Sequence, residues 1–269
     1  MIRLAAFACA LLLSAAGTAD AQGTTTDPAK MPLVFEHATV GGLHSHKTGQ
    51  LKLPKGGPPY AAVVVLSGCN GVKQSTRVWA HRLASWGYAG LIVDSFRPRG
   101  LRNVCRRGGE LSANDRAKDA YRAAAYLRTR PDIDSQRIGL LGYSHGGWTA
   151  LAAAGEPIVA ENGGKPFAAV VAYYPICPQV TPPFASDVQI LIGAADDWSS
   201  PKRCEDLAAR YDNAAAHRPL LKIYPGAGHS FDVKRGERVY LGHRLAYDPQ
   251  AAAESFDATK QFLDDHLKR

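Results

Sequence analysis

Continuous apolar runs alternate with stretches of helical periodicity along most of the chain. The run over residues 61–66 suits a strand that is buried on both faces, and residues 76–86 follow with apolar side chains at helical spacing. The same alternation predicts further strands over 88–93, 137–141, 168–173, 188–192 and 220–224, and further helices over 114–127, 147–154, 201–214 and 249–267. We therefore predict an α/β fold with a mostly parallel sheet flanked by helices on both faces, to which residues 33–53 could add one or two antiparallel edge strands.

The first residues follow a different pattern. Arg3 precedes an apolar run over residues 4–16, and Ala19-Asp20-Ala21 has the small residues of a signal-peptide cleavage site. The run is shorter than the roughly 20 residues that a membrane-spanning helix needs, and no later stretch reaches that length. We predict a signal peptide over 1–21, an N-terminal extension over 22–50 and a single α/β domain over 51–269. The protein is expected to be periplasmic or secreted.

The composition is that of a folded globular protein. The chain has 269 residues, of which 46% are hydrophobic and 21% charged, and its 32 Lys and Arg against 24 Asp and Glu give a net charge of +8. This apolar fraction is too high for a disordered chain. No nucleic-acid-binding motif is present, and aromatic residues are not interleaved with the basic ones, so the positive charge does not indicate a nucleic-acid partner.

Four cysteines remain after the predicted signal peptide: Cys69, Cys105, Cys177 and Cys204. An even number in an exported protein favours disulfides, for which three pairings exist. Chain order favours Cys69 with Cys105 and Cys177 with Cys204, because each pair would join neighbouring strand-end loops. Four buried free thiols are the alternative, and the lack of a C-x-x-C pair argues against a zinc site.

A serine motif follows the predicted strand over 137–141. The sequence G-Y-S-H-G at 142–146 stands directly before a predicted helix. A serine on such a sharp strand-to-helix turn has a strained backbone, and the residues two before and two after it come too close to other backbone to carry side chains. Gly142 and Gly146 meet this requirement. The motif predicts that Ser144 is a nucleophile, and the alternative is an ordinary glycine-rich turn.

Two later strand ends carry the groups that such a serine needs. A serine hydroxyl becomes an effective nucleophile when a base removes its proton, and a carboxylate orients that base. Asp196 and Asp197 follow one of the last two predicted strands, and His229 follows the other. The order Ser, Asp, His along the chain is typical of a triad on this kind of sheet. We predict that Ser144 and His229 act as nucleophile and base, with one of the two aspartates as the acid.

A tetrahedral intermediate also requires hydrogen-bond donors for its oxyanion. The backbone N–H of His145 is one candidate because this residue follows the nucleophile. The backbone N–H of Cys69, in the loop after the strand over 61–66, is the other. A disulfide from Cys69 to Cys105 would then stiffen the oxyanion hole. We interpret the side chain of His145 as structural.

Together these motifs resemble the dienelactone hydrolase family of α/β-hydrolases, over about residues 51–267. The resemblance rests on S-G-C-N-G at 67–71, W-G-Y at 86–88, D-S-F-R-P-R-G at 94–100, G-Y-S-H-G at 142–146, G-A-A-D at 193–196 and G-A-G-H at 226–229. It implies an α/β-hydrolase fold with Ser144 as nucleophile, His229 as base and Asp196, in preference to Asp197, as the acid. This chain departs from the family at two points: Ser144 stands where dienelactone hydrolases have a cysteine nucleophile, and Ser67-Gly68 stands where they have H-G. The resemblance therefore does not define the substrate.

An arginine-rich segment follows the predicted strand over 88–93, on the same side of the sheet as the serine motif. Arginine is suited to carboxylates and phosphates because its planar fork matches their geometry. Arg97 and Arg99 are candidates for recognising an anionic ester or a polyanionic cell-envelope polymer. The alternative is that some of these arginines pin the loop while the others are solvated. The segment contains Arg97, Arg99, Arg102, Arg106 and Arg107.

The predicted function is a secreted or periplasmic serine hydrolase that cleaves carboxylic esters through an acyl-enzyme, without a metal or an organic cofactor. A peptidase or thioesterase would use the same triad. The contrasting alternative is a non-catalytic envelope protein that binds anions on a hydrolase scaffold. The expected partner is a small-molecule ester, and the sequence does not define the oligomeric state.

Overall fold

The structure of the protein, a computed structural model, describes residues 49–178, 183–211 and 215–268. The predicted signal peptide and most of the predicted extension lie outside these residues. The strands are β1 (Gly49–Lys52), β2 (Tyr60–Leu66), β3 (Ala89–Val93), β4 (Ile133–Tyr143), β5 (Val170–Tyr173), β6 (Val188–Gly193), β7 (Leu220–Tyr224), β8 (Arg238–Tyr240) and β9 (His243–Leu245). The helices are α1 (Gln74–Ser85), α2 (Ala113–Arg128), α3 (His145–Ala154), α4 (Glu156–Glu161), α5 (Pro201–Ala208) and α6 (Pro249–Leu267).

Seven strands form one sheet in the order β1-β3-β2-β4-β5-β6-β7, and β8 and β9 form a separate hairpin. Neighbours in the large sheet are parallel except for β1, which pairs antiparallel with β3 at the edge. The central strands are buried along their length, as their continuous apolar runs predict. The predicted α/β architecture with a mostly parallel sheet is confirmed.

Small residues in the sheet let two helices approach one face closely. Val63 of β2 pairs in register with Gly90 of β3 and Gly139 of β4, so the three residues point to the same face. A Cβ at Gly90 would lie 3.2 Å from Ala80 of α1, and a Cβ at Gly139 would lie 3.1 Å from Leu267 of α6. Helices α1 and α6 therefore cover this face, and α2 and α3 pack together against the other.

The structure differs from the prediction where elements are short or end early. The predicted helix over 201–214 ends at Ala208, and the ring of Tyr211 beyond it stacks on Phe184 at 5.2 Å between centroids. Helix α4 and the β8–β9 hairpin were not predicted. Elements of three to six residues are too short to establish a period of 2 or 3.6 in the sequence.

The four cysteines of the domain pair as Cys69 with Cys105 and Cys177 with Cys204. The first disulfide joins the loops that follow β2 and β3, and the second joins the loop after β5 to α5. Each therefore ties together two segments at the carboxyl end of the sheet. No helix in the described ranges is long and apolar enough to span a membrane.

Replacing both Cys177 and Cys204 by alanine should destabilise the fold. Their disulfide spans 27 positions of sequence, so its removal raises the chain entropy of the unfolded state and should lower the free energy of unfolding by about 3.5 kcal/mol. Urea unfolding followed by tryptophan fluorescence measures this loss. Reduced wild-type protein should lose at least as much, because the Cys69–Cys105 disulfide opens as well. An unchanged urea midpoint in the double variant would contradict the prediction.

Candidate active site

Ser144 lies on a tight turn between β4 and α3. Its backbone has φ 55° and ψ −121°, a strained conformation for a residue that carries a side chain. Glycines on both sides make the turn possible. A Cβ at Gly142 would lie 2.0 Å from the carbonyl oxygen of Gly146, and a Cβ at Gly146 would lie 2.3 Å from that of Leu66. The predicted steric role of both glycines is confirmed.

The imidazole of His229 lies between Ser144 and Asp196. Its Nε2 is 3.0 Å from Oγ of Ser144, and its Nδ1 is 2.9 Å from Oδ2 of Asp196. The histidine and the aspartate are buried, with 2% and 5% of their surfaces exposed. Because the carboxylate can only accept, Nδ1 carries the proton and Nε2 is left to accept the hydrogen of the serine hydroxyl. The structure thus brings these three predicted residues into one hydrogen-bonded chain.

The neighbouring carboxylate is directed away from this chain. Oδ2 of Asp197 accepts the backbone N–H of Arg244 at 3.2 Å, and its Oδ1 is 3.5 Å from Nδ1 of His243, so it contacts the β8–β9 hairpin. Asp196 instead accepts two backbone N–H groups of its own loop through Oδ1, at 2.9 and 2.7 Å. Its Oδ2 is thereby aimed at His229. Asp196 is the aspartate that contacts the imidazole.

The two predicted oxyanion donors belong to backbone segments that adjoin Ser144. His145 is the first residue of α3 and follows Ser144 directly. Cys69 follows Gly68, at which a Cβ would lie 3.4 Å from Cβ of Ser144, and it lines the pocket in front of the serine. The disulfide from Cys69 to Cys105 ties this loop to the loop after β3.

A pocket of about 360 Å³ opens in front of Ser144 and His229. Aromatic rings form its walls. The ring centroids of Tyr174 and Trp198 lie 4.7 Å and 5.1 Å from that of His229. The β8–β9 hairpin adds Tyr240, whose ring centroid is 5.8 Å from that of Trp198. The pocket is therefore enclosed by residues from several strand-end loops and by the hairpin.

Arg97 and Arg99 do not line this pocket in the described part of the chain. The guanidinium group of Arg99 is buried and donates two hydrogen bonds to Asp119, at 2.7 and 2.9 Å, and one to the carbonyl of Ser95. Arg99 therefore pins the loop, and the prediction that it recognises an anion is corrected. Arg97 is exposed, has its Nε 3.7 Å from Asp94 and lines a neighbouring cavity of about 590 Å³.

Three other basic residues, for which no role was predicted, line the pocket: Lys73, Arg235 and Arg238. The guanidinium group of Arg238 lies over the ring of Tyr240, at 5.5 Å from its centroid. Arg235 is half-buried, and this burial lowers the pKa of its side chain. In the sequence, Arg235 and Arg238 follow His229 within ten residues, and this proximity to the predicted base could have indicated that they lie near the site.

Tyr174 is held in place by a buried acid. Its backbone has φ 33°, and its hydroxyl donates to Oδ1 of Asp232 at 2.6 Å. Oδ2 of Asp232 accepts the indole N–H of Trp79 at 3.2 Å. Asp232 forms no ion pair with any described residue, and burial raises the pKa of its carboxyl group. Tyr174 directly follows β5, so the rule that site residues follow strand ends also points to it.

A sequence model of the dienelactone hydrolase family matches residues 48–267. The chain belongs to this family. One relative, named as a candidate carboxymethylenebutenolidase, is from Synechocystis sp. and is 23% identical over 248 residues, which cover 86% of this chain and 96% of that protein. The family match agrees with the resemblance that the motifs of the sequence carry.

Solved structures of a dienelactone hydrolase-like protein and of an esterase share the fold. The dienelactone hydrolase-like promiscuous phosphotriesterase P91 from metagenomic libraries aligns with a TM-score of 0.64 and 20% identity, covering 81% of this chain and 92% of that one. An esterase from Thermogutta terrifontis aligns with a TM-score of 0.60 and 18% identity, covering 81% and 88%. The predicted α/β-hydrolase fold is confirmed.

The described residues of this dienelactone hydrolase family member contain no group of three or more His, Cys, Asp or Glu side chains that could hold a metal ion. The pocket is lined by the hydroxyl of Ser144, the imidazole of His229 and the side chains of Lys73, Arg235 and Arg238, and the carboxylate of Asp196 lies buried behind the imidazole.

The buried Asp232 should give this protein a distinctive pH dependence of stability. Because its folded-state pKa is raised above the unfolded value of about 3.9, the folded state binds more protons between the two values. The contribution of Asp232 to stability is therefore largest at low pH and falls as pH rises through the folded-state pKa. Asp232→Asn stays uncharged, so its free energy of unfolding should rise relative to wild type over that range. Urea unfolding from pH 4 to 8 measures the free energy of unfolding of the variant minus that of wild type. If this difference did not change with pH, or fell as pH rises, the prediction would be contradicted.

Proposed function

We propose that the protein is a serine esterase that hydrolyses carboxylic esters through an acyl-enzyme. The observation that carries the proposal is the hydrogen-bonded chain from Oγ of Ser144 through His229 to Asp196, with distances of 3.0 and 2.9 Å. A hydroxyl in this arrangement loses its proton to the imidazole as it attacks a carbonyl carbon. Membership of a hydrolase family supports the same chemistry.

Each residue of the chain has one role in the proposed reaction. Ser144 attacks the ester carbonyl, and His229 takes the proton and returns it to the leaving alcohol. Asp196 holds the imidazole in the tautomer that leaves Nε2 free to accept. The backbone N–H groups of Cys69 and His145 stabilise the oxyanion. Water, activated by His229, then releases the acid from the acyl-enzyme.

We further propose that the preferred ester carries a negative charge near the reacting carbonyl. Lys73, Arg235 and Arg238 line the pocket, and within the described ranges neither guanidinium group forms an ion pair or a hydrogen bond. Unpaired cations beside a partly apolar pocket favour a carboxylate or phosphate of the ligand. In this proposal the charged group of the ester contacts Lys73, Arg235 and Arg238 and not the predicted Arg97 and Arg99.

We propose that the protein works outside the cytoplasm. The two disulfides support this location, because such bonds persist in oxidising compartments. The signal peptide over 1–21 lies outside the described residues and stays a prediction.

A fluorophosphonate probe and a panel of aryl esters test the proposed activity. The probe should label wild-type protein on Ser144, and Ser144→Ala should lose both labelling and ester hydrolysis while its thermal unfolding stays close to that of wild type. A folded wild-type protein that is neither labelled nor active would refute the esterase proposal and support an anion-binding protein. If matched thioesters or amides were hydrolysed faster than the esters, the substrate class would be thioesters or amides instead of esters.

The two neighbouring aspartates supply the matched control. Asp196→Asn should lower kcat by about 10⁴-fold, because an amide at this position favours the wrong imidazole tautomer. Asp197→Asn removes the same charge from the same loop and should keep near-wild-type activity, because Asp197 contacts the hairpin and not His229.

The charge preference can be measured with two aryl esters that differ only by a carboxylate on the acyl chain. Changing Arg235 and Arg238 together to alanine should lower kcat/KM for the charged ester by about 10- to 100-fold, as expected for loss of charge-assisted hydrogen bonds, and should change the neutral ester little. Arg130→Ala combined with Arg137→Ala, which also removes two positive charges and breaks ion pairs with Asp132 and Asp134 at the opposite end of the sheet, is the control for net charge. Equal losses for both esters would argue against anion recognition.

A further inference from the structure

Arg116 of α2 is fully buried and has no carboxylate partner among the described residues. Its Nη1 is 2.8 Å from Nδ1 of His145, and its Nη2 donates to the carbonyl oxygen of Ser67 at 2.8 Å. The nearby acid, Asp119, is bonded to other arginines instead, one of which is Arg99. A buried cation without an ion pair is costly, and replacing buried ionic groups by well-packed apolar residues is often neutral or stabilising in proteins. The presence of an arginine at this buried position therefore requires a specific explanation, which its two hydrogen bonds provide.

The guanidinium group determines the state of the histidine. Because arginine can only donate, Nδ1 of His145 must accept, and the ring proton lies on Nε2, which is 3.3 Å from the carbonyl oxygen of Gly108. Burial and the charge of Arg116 lower the pKa of His145 to about 4, so the ring is neutral at ordinary pH. The ring of Phe96 lies 4.7 Å from the guanidinium carbon and limits its movement. The result is one rigid connection from Ser67 through Arg116 to His145.

This connection joins the two backbone segments that carry the proposed oxyanion donors. Ser67 precedes Cys69 by two residues in the loop after β2, and His145 directly follows Ser144. The same segments are in close backbone contact, since a Cβ at Gly146 would lie 2.6 Å from the carbonyl oxygen of Ser67. The two Nη atoms belong to one planar group, so a shift of either segment would break or bend one of the two hydrogen bonds.

We infer that Arg116 is a positioning residue for the oxyanion hole. It holds the Ser67–Cys69 segment at a constant distance from His145, and so fixes the positions of the two backbone donors. The inference rests on the proposed esterase function. An oxyanion donor is effective only when it lies within hydrogen-bond distance of the developing charge, and loss of one donor typically costs 10²- to 10³-fold in kcat. Release of the two segments should displace the donors without touching the Ser144–His229–Asp196 chain.

Two substitutions test the inference with a neutral aryl ester. Arg116→Met removes both donors and leaves a shorter, unbranched apolar side chain in the buried site, and it should lower kcat by about 10- to 100-fold with KM within about twofold of wild type. The affinity for an aryl trifluoromethyl ketone, which forms a tetrahedral adduct with the serine, should fall by the same factor as kcat/KM. Arg116→Lys keeps the charge but cannot bond both acceptors in one plane, so it should recover only part of the loss.

Tyr121→Phe on the same helix is the matched control. It removes one buried hydrogen bond, from Tyr121 to the carbonyl of Ala153, and touches neither oxyanion segment. It should lower stability while kcat and the affinity for the ketone stay unchanged. The pH dependence of kcat/KM, which reports the base, should be the same in all variants.

The inference is overturned if folded Arg116→Met, or Arg116→Lys where the methionine variant is insoluble, keeps wild-type kcat and ketone affinity. It is also overturned if the losses appear in KM alone, or if Tyr121→Phe shows the same pattern. A wild-type protein without esterase activity would instead refute the proposed function, so the two failures are distinguishable.

Discussion

Close backbone contact at the turn after β4 is the constraint on which the rest of the site depends. The chain enters α3 so tightly that Gly146 meets the carbonyl oxygens of Leu66 and Ser67, where a Cβ would lie at 2.3 and 2.6 Å. This contact holds Ser144 at φ 55° and ties the end of β4 to the end of β2. Because the parallel strands all end at this edge of the sheet, the loops after β2, β5, β6 and β7 reach the same place.

Buried polar groups then set the directions of the side chains around the serine. Asp196, Arg116 and Asp232 are all buried, and each makes hydrogen bonds to a backbone group or to a ring that lies next to the site. In a region of low dielectric such bonds are strong and costly to break, so they select one arrangement. Backbone strain is concentrated in the same place, since Ser144, Tyr174 and Ser230 all have positive φ.

Long elements could be predicted because their patterns repeat. The apolar run of β2 and the helical spacing of α2 each continue over enough residues to distinguish strand from helix. The β8–β9 hairpin could not be predicted in this way. Its strands have three residues each, and it is held by contacts to distant residues, such as the stacking of His243 on Trp198 at 4.7 Å.

Local rules were sufficient for the order of the longer elements, the strained turn at Ser144 and the presence of a histidine and an acid at later strand ends. These features follow from chain order, residue size and the parallel sheet. The burial of Arg99 and the approach of Arg235 to the pocket were decided only by the tertiary structure, which also shows why Asp196, favoured by the family resemblance, contacts the imidazole and Asp197 does not. The direction of a loop side chain depends on which remote groups offer it a hydrogen bond or an apolar surface, and those groups come together only when the chain folds.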